Sequence, residues 1–429
     1  MNHIIRQQYF DIEVNGTESA GLAIQNRLSS LCSDSLMPAI EKILDHYAPL
    51  NQHLYFDRLE IDAGSLTLDN LESELAECVS SALQEKLRSY PLSETNNSAL
   101  ASDTVRRRTT QQSLYEAFIY FLKTGRLPWE FKLTSDQTFE QVLLDSWRKE
   151  TKSASRNDLI STVHSVLKSS AARKRLVCQF SPAFWEELLL LLSPDGKNIM
   201  AEILATLSFG GSPSTNHFLW EKVFVEVVNG QPQSAKLLVS EALRNVSVAK
   251  PIKFASEEFS PKDALEGIYI DCAGLVLLHP FLPQFFKALG IVAEDTLLQP
   301  DRAVCLLHYL ATGQVIAPEY ELILPKILCN IPLEIPVESD VSLTTEEQEE
   351  ATALLDATIR HWEALRNTSV DGLRGTFLVR PGKISLRDDG DWLLQVESKS
   401  YDILLDQLPW GIGMIKLAWM QQMLWVEWG

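Results

Sequence analysis

The sequence predicts an α+β fold, mostly helical, with a small N-terminal α+β unit and a C-terminal domain of helices plus a small antiparallel sheet. Three observations carry this. Apolar and polar residues alternate near both ends, at 9–14, 54–61, 383–386 and 392–397, which is the period of a half-buried strand. Between them, from 114 to about 246, every readable stretch has helical spacing and helical punctuation. The 429 residues are 45% hydrophobic and 22% charged, ordinary for a globular chain with room for two or three cores. The expected division is an N-terminal α+β unit over 1–91, a polar linker over 92–113 and a helical middle over 114–250. A C-terminal α+β domain with a tryptophan-rich tail fills 251–429.

In the first unit Phe10, Ile12 and Val14 point inward from a strand that Asn15-Gly16 ends. Helices follow at about 19–32 and 36–46, the second carrying Ile40, Ile43 and Leu44. A strand at 54–61, closed by Asp62-Ala63-Gly64, is expected to pair with the first. Helix 71–87 places Leu71, Leu75, Cys78 and Leu83 at apolar positions. The stretch 92–112 is polar and aperiodic. Arg106-Arg107-Arg108 within it reads as a solvated run, against the sharper reading of a phosphate or acidic partner.

Helix 114–123 stops at Thr124-Gly125, with Pro128 beyond, because glycine accepts the left-handed turn that closes a helix. Ser181-Pro182 opens helix 183–192. Two more helices are expected at 216–228 and 234–245, with the loop Gly210-Gly211-Ser212-Pro213 before the first. One echo recurs within the chain. Phe121-Leu122-Lys123-Thr124-Gly125 and Tyr309-Leu310-Ala311-Thr312-Gly313 share an aromatic-Leu-x-Thr-Gly ending, with Pro128 and Pro318 after them. It is either a shared helix stop or a repeated helical hairpin.

After a joint at 250–262 come a short strand at 267–271 and a broken apolar helix that Gly290 ends. Helices at 302–311 and 319–329 precede a loop over 332–342, placed at the surface by its prolines. Thr344 and Glu347 form a capping-box pattern opening a helix whose face is Leu354, Leu355, Thr358, Ile359, Trp362 and Leu365. A hairpin turns on Asp388-Asp389-Gly390-Asp391, with Trp392, Leu394 and Val396 on one face. Residues 402–408 are a short helix or a further strand, and Leu424, Val426 and Trp428 alternate as the last strand. Six of the ten tryptophans lie within 361–429. Most belong in a core, yet Trp410, Trp419, Trp425 and Trp428 are more than a small sheet usually buries. Together with Phe281 and Phe285 they are the candidate partner contacts.

A net charge of −19 argues against a nucleic-acid or anionic-membrane surface, either of which needs clustered cations. The most apolar run, 274–286, is broken by His279, Pro280 and Pro283 and falls short of the ~20 residues a membrane span needs. The six cysteines form no Cys-x-x-Cys pair and read as reduced, buried thiols of a cytoplasmic protein, and no cleavable signal stretch is evident. Nucleotide loops, a serine-nucleophile elbow and a His-Glu-x-x-His motif are all missing. His46 and His53 are separated by Pro49 and a turn, and His279 and His308 read as hydrogen-bonded core residues. Asp57, Glu60 and Asp62 read as the solvent side of a strand, and Glu346 to Glu350 as complements to a helix N-terminus. Arg366, Arg374 and Arg380 suggest capping and salt bridges to Asp371 or Glu363. No catalytic, cofactor or metal set is expected.

Three stretches carry a family resemblance. HWEALRNTSVDGLRGTFLVRPGKI at 361–384, LPWGIGMIKLAWM at 408–420 and VEW at 426–428 resemble the C-terminal signature of contractile injection system tape measure proteins. Those systems are the phage-tail-like particles of bacteria. DCAGLVLLHPFLPQFFKALGIV at 271–292 with RAVCLLHYLATGQ at 302–314 is similar to the family's middle segment. HIIRQQYFDIEVNG at 3–16 with YFDRLEIDAG at 55–64 is similar to its N-terminal one. The resemblance implies a non-enzymatic assembly component, cytoplasmic during assembly and then within the particle. It implies tail tube or baseplate proteins as partners, with self-association besides, and a role in templating the tube and setting its length. A middle of about 150 residues could span at most ~225 Å as one helix. The glycines and prolines at 125, 128, 182, 210, 211, 213, 230 and 232 instead suggest folded helices. That leaves a folded chaperone or adaptor as the alternative.

Overall fold

A computed structural model describes most of residues 3–89, and residues 105–133, 137–149, 154–193, 213–229, 267–338 and 341–428. The described residues are mostly helical, with small sheets, and the chain forms two compact units, 1–115 and 116–429.

In the first unit, helical residues between 21 and 31 continue through a π turn, Cys32–Leu36, into α1, Met37–Tyr47. Strand β1 is Gln52–Phe56, α2 is Leu71–Ser89 and β2 is Val105–Thr109. The core is Leu36, Ile40 and Ile43 against Leu83 and Leu87, the apolar faces of the helices brought together. Two expectations fail here. Residues 8–15 have no regular structure, and Tyr9, Phe10 and Ile12 are exposed, Tyr9 to 81%. The partner of β1 is instead β2, antiparallel from Gln52 opposite Thr109 to Phe56 opposite Val105. Residues 105–109 were expected in a linker. They form a strand by antiparallel pairing with β1, and Arg106 reaches Asp57 beside it at 2.8 Å.

Helix α3, Thr110–Thr124, leads into the second unit. There follow α4, Phe139–Lys149; α5, Ala154–Val166; α6, Ser170–Gln179; α7, Pro182–Leu192; and α8, Pro213–Asn229. Ser181 caps α7 by accepting from the Phe184 N–H, with Pro182 at the first helical position as its sequence promised. Aromatic rings fill this part: Phe180 stacks on Phe184 at 4.2 Å, Phe121 meets Phe139 edge-on at 5.8 Å, and Trp185 joins α7 to Trp220 of α8 at 5.3 Å. The helix expected at 234–245, the glycine loop at 210–212 and the joint at 250–262 lie outside the described residues.

Beyond 267, β3, Ile268–Ile270, leads to a 3-10 turn, Ala273–Leu278, and then α9, Leu282–Ala288, which together make the expected broken apolar helix. A two-residue hairpin, β4 Val292–Ala293 with β5 Thr296–Leu297, precedes α10, Pro300–Thr312; then come α11, Ile323–Leu328, and α12, Thr345–His361. The capping box on α12 is complete: Thr344 Oγ1 accepts from the Glu347 N–H at 3.3 Å, and the Glu347 carboxylate accepts from the Thr344 N–H at 2.7 Å. Short α13, Val370–Leu373, precedes β6, Gly382–Leu386, and β7, Trp392–Val396. After a 3-10 turn, Ser400–Gln407, come β8, Met414–Ile415, and β9, Leu424–Glu427. The sheet runs β3-β6-β7-β9-β8, antiparallel throughout except that β7 and β9 are parallel. Its inward residues share one buried core with those of α10, α12 and the 3-10 turn at 273–278.

A buried ion triad joins the helical part to this part of the unit. Arg175 on α6 donates to Glu319 at 2.9 Å, to the Leu122 carbonyl at 2.7 Å and to the Glu334 carbonyl at 2.7 Å. Lys326 on α11 donates to the same Glu319 at 2.7 Å and to the carbonyls of Leu333 and Ile335 at 3.1 and 2.8 Å. Burial pushes the Lys326 ammonium down from its ordinary value, against the pull of Glu319. The loop at 332–338, expected at the surface, is therefore partly core, with Leu333 and Val337 buried. Two enclosed cations need carbonyl acceptors, and an irregular segment can offer several at once.

Candidate functional site

The C-terminal sheet has one buried and one open face. Ile384, Leu394, Leu424, Val426 and Ile415 point inward, as the alternation foretold. The opposite set is Lys383, Ser385, Leu393, Gln395, Trp425, Glu427 and Met414, all partly or fully exposed. Across the strands Leu393 stands opposite Trp425, and Trp425 opposite Met414, which is 56% exposed. These three make an apolar row on an otherwise polar face. The row is held rigidly. Trp425 donates its indole N–H to Asp391 at 3.2 Å and carries the Arg387 guanidinium 5.1 Å above its ring. Hydrogen bonds from the Met423 N–H and the Trp425 indole hold the Asp391 carboxyl below the usual carboxylate range.

All six tail tryptophans have an indole partner. Trp362 donates to the Leu404 carbonyl at 3.1 Å, Trp392 to Gln422 at 2.9 Å, Trp410 to the Leu277 carbonyl at 3.1 Å and Trp419 to the Leu328 carbonyl at 2.8 Å. Trp428 donates to Asp402 at 3.2 Å. That carboxylate also receives Arg380 through both oxygens, at 2.9 and 2.8 Å, while the guanidinium lies 5.2 Å from the Tyr401 ring and 5.4 Å from that of Trp428. Burial alone would raise the Asp402 pKa; the bonds from Arg380, the Lys399 N–H and Trp428 overcome it and leave it lowered. Arg380 thus pins the last strand, which its sequence context, read as a helix-capping pattern, did not reveal. Arg366 and Arg374 do pair with Glu363 and Asp371.

Of the six candidate contacts, Trp425, Trp410, Trp428 and Phe281 are half-buried, and Trp419 and Phe285 are core. Phe281 and Trp410 meet edge-on at 5.1 Å, so they form one patch, separate in sequence from the Trp425 row. Met414 and Leu393 were missed. The same alternation that assigned the inner face assigns them to the outer one.

Two of the isolated histidines, His308 and His279, have local partners. His308 is buried and bonds Glu321 at 2.7 Å, and His279 bonds the Val276 carbonyl at 2.9 Å. No disulfide joins any of the six cysteines, and burial pushes the Cys272 and Cys305 thiols up to about 12. Among the described residues no helix is long and apolar enough to cross a membrane.

The C-terminal sheet thus combines a partly exposed apolar row with tryptophans whose indoles are all hydrogen-bonded. The chain belongs to the contractile injection system tape measure protein family, whose model matches residues 2–261 and 239–428. That family is a structural one, of phage-tail-like particles. Neither curated proteins nor solved structures give a significant match.

Proposed function

We propose that this protein is a non-enzymatic assembly component that templates the tail tube and sets its length, binding tube or baseplate proteins through the open face of its C-terminal sheet. The supporting observation is the Leu393–Trp425–Met414 row, apolar, preorganised and left open in a member of this family. In this scheme the ends, 1–91 and 251–429, are anchors, and the linker 92–113 and helical stretch 114–250 lie between them. Assembly takes place in the cytoplasm, and neither nucleic acid nor a membrane takes part. Electron micrographs of particles made with residues 114–250 duplicated test the ruler: longer tubes support it, and tubes of unchanged length count against it. Leu393→Glu with Met414→Glu tests the face. Binding to tube or baseplate proteins is expected to fall at least tenfold, roughly the loss of one contact hot spot, with no change in melting temperature.

A folded chaperone or adaptor is the second reading, favoured by helix length. The longest described helix, Leu71–Ser89, has 19 residues, about 28 Å at the α-helical rise. Such a protein leaves before completion, so its absence from purified mature particles, with tube length indifferent to the duplication, selects this reading.

A further inference from the structure

Three metal-ligating side chains from distant parts of the chain converge in the second unit. Cys178 lies near the end of α6, His217 in the first turns of α8, and Glu338 at the end of the partly buried loop after α11. The Cys178 thiol sulfur, an imidazole nitrogen of His217 and a carboxylate oxygen of Glu338 all lie within 4.8 Å of one another. The His217 ring stands edge-on to Trp185 at 5.8 Å, which fixes its plane. Its Nδ1 is enclosed and has no hydrogen-bond partner among the described residues, whereas buried polar atoms normally have one. Burial pushes the thiol up from its ordinary value, and Glu338, Glu319, Asp301 and Glu221 push it the same way. Glu319 is matched by Arg175 and Lys326, and Glu221 by Arg173 at 3.9 Å. Among the described residues Glu338 and Asp301 have no ion-pair partner. The place therefore combines a soft sulfur, an imidazole and a carboxylate, with further acidic side chains nearby.

We infer that Cys178, His217 and Glu338 form a zinc-binding site that ties α8 to α6 and to the loop at 332–338. Thiolate with imidazole selects zinc or a similar borderline ion over calcium or magnesium, which take oxygen ligands. Tetrahedral bonds of about 2.0–2.3 Å put ligand atoms roughly 3.5 Å apart, so closure by about 1 Å suffices. Glu338 is exposed, so its side chain can move toward the other two ligands. Three protein ligands leave a fourth position for water or for a group from a bound tail protein. On binding, the thiol proton goes to solvent and the sulfur–metal bond takes its place; no redox partner is involved.

The test uses the full chain, stripped with chelator and titrated with zinc, then with cobalt as a spectroscopic stand-in. One ion per chain is expected, with a thiolate-to-cobalt charge-transfer band and a raised melting temperature. Cys178→Ser and Glu338→Gln are each expected to weaken binding at least tenfold, since losing groups that merely support a ligand already costs about that much. Glu338→Gln sits on an exposed side chain and will fold if Cys178→Ser does not. Cys78→Ser, remote in sequence, is expected to bind like the parent. Failure of the folded, stripped chain to take up one zinc overturns the site, as does a cobalt complex without the thiolate band. So does undiminished binding in Glu338→Gln.

Discussion

Helices α3 and α10 end in the same way, and their surroundings make the two endings unequal. Each stops at a glycine with φ near +75°, Gly125 at 75° and Gly313 at 74°, whose N–H bonds the carbonyl four residues back, Phe121 and Tyr309. The threonine hydroxyls before them, Thr124 and Thr312, each bond the carbonyls of Tyr120 and His308, at 2.8 and 2.9 Å. An arginine reaches the equivalent carbonyl in both: Arg175 that of Leu122, Arg374 that of Leu310 at 3.2 Å. The sequence echo is thus a shared device down to the capping cation. Arg175 is wholly enclosed with Glu319 and Lys326; Arg374 is partly open and pairs with Asp371, 93% exposed. One motif serves once inside an enclosed ion cluster and once where the capping cation meets an exposed carboxylate.

Removing the cations breaks the comparison most directly. Arg175→Ala leaves Glu319 with Lys326 alone and orphans three acceptors, so a loss of about 3–5 kcal/mol is expected. Arg374→Ala surrenders two long bonds to carbonyls and a stacking contact on Tyr309, worth about 1 kcal/mol. Urea midpoints of the two variants measure the difference. Equal losses would mean that burial is not what separates the two ends.

The glycines test the same contrast at smaller amplitude. A Cβ on Gly125 would stand 2.5 Å from the Glu319 carboxylate, which Arg175 and Lys326 hold in place. On Gly313 it would meet only Arg374, at 3.1 Å, a side chain with room to yield. Both substitutions to alanine incur the left-handed backbone cost, about 1–2 kcal/mol. Gly125→Ala is expected to exceed Gly313→Ala by a further kcal/mol or so, the size of a modest overpacking penalty. Thermal denaturation of the pair reads it directly.

What the sequence made legible was local. A glycine stop, a Ser-Pro start, a capping box and two-residue alternation act over three or four positions, and each appears where its residues stand. The open row at Leu393, Trp425 and Met414 was half legible, since alternation assigns a face without saying what covers it. Strand β2 was hidden because Val-Arg-Arg-Arg-Thr has no apolar face to alternate. Its partner β1 is distant in the chain, as the Asp57–Arg106 bond across 49 residues reflects. The Arg175–Glu319 pair is separated by 144 residues, and the Cys178, His217 and Glu338 cluster draws on three separate stretches of the chain. Nothing in a local window marks which arginine will be enclosed or which cysteine will meet a histidine.

A third arginine places pH on the same scale. Asp402, held below its ordinary pKa chiefly by Arg380 once burial is overcome, is charged in the folded chain at pH values where the unfolded chain begins to take up protons. Stability from this pair is therefore complete above the ordinary carboxylate value of about 4 and is lost as pH falls through the lower folded value. Asp402→Asn is expected to flatten that part of the profile, read as urea midpoint between about pH 5 and pH 2.5.

Asp371→Asn is the smallest change and the sharpest control. The carboxylate lies 3.4 Å from Arg374 but is almost wholly in water, where ion pairs contribute about 0–1 kcal/mol and salt screens them. If the guanidinium is held by the Leu310 and Tyr309 carbonyls and the Tyr309 ring, removing this charge leaves the α10 cap intact. The expected shift in melting temperature is under about 2 °C, within the range of an ordinary surface substitution in a unit of this size. A larger shift would show that Asp371 positions Arg374, and that both helix ends depend on an ion pair after all.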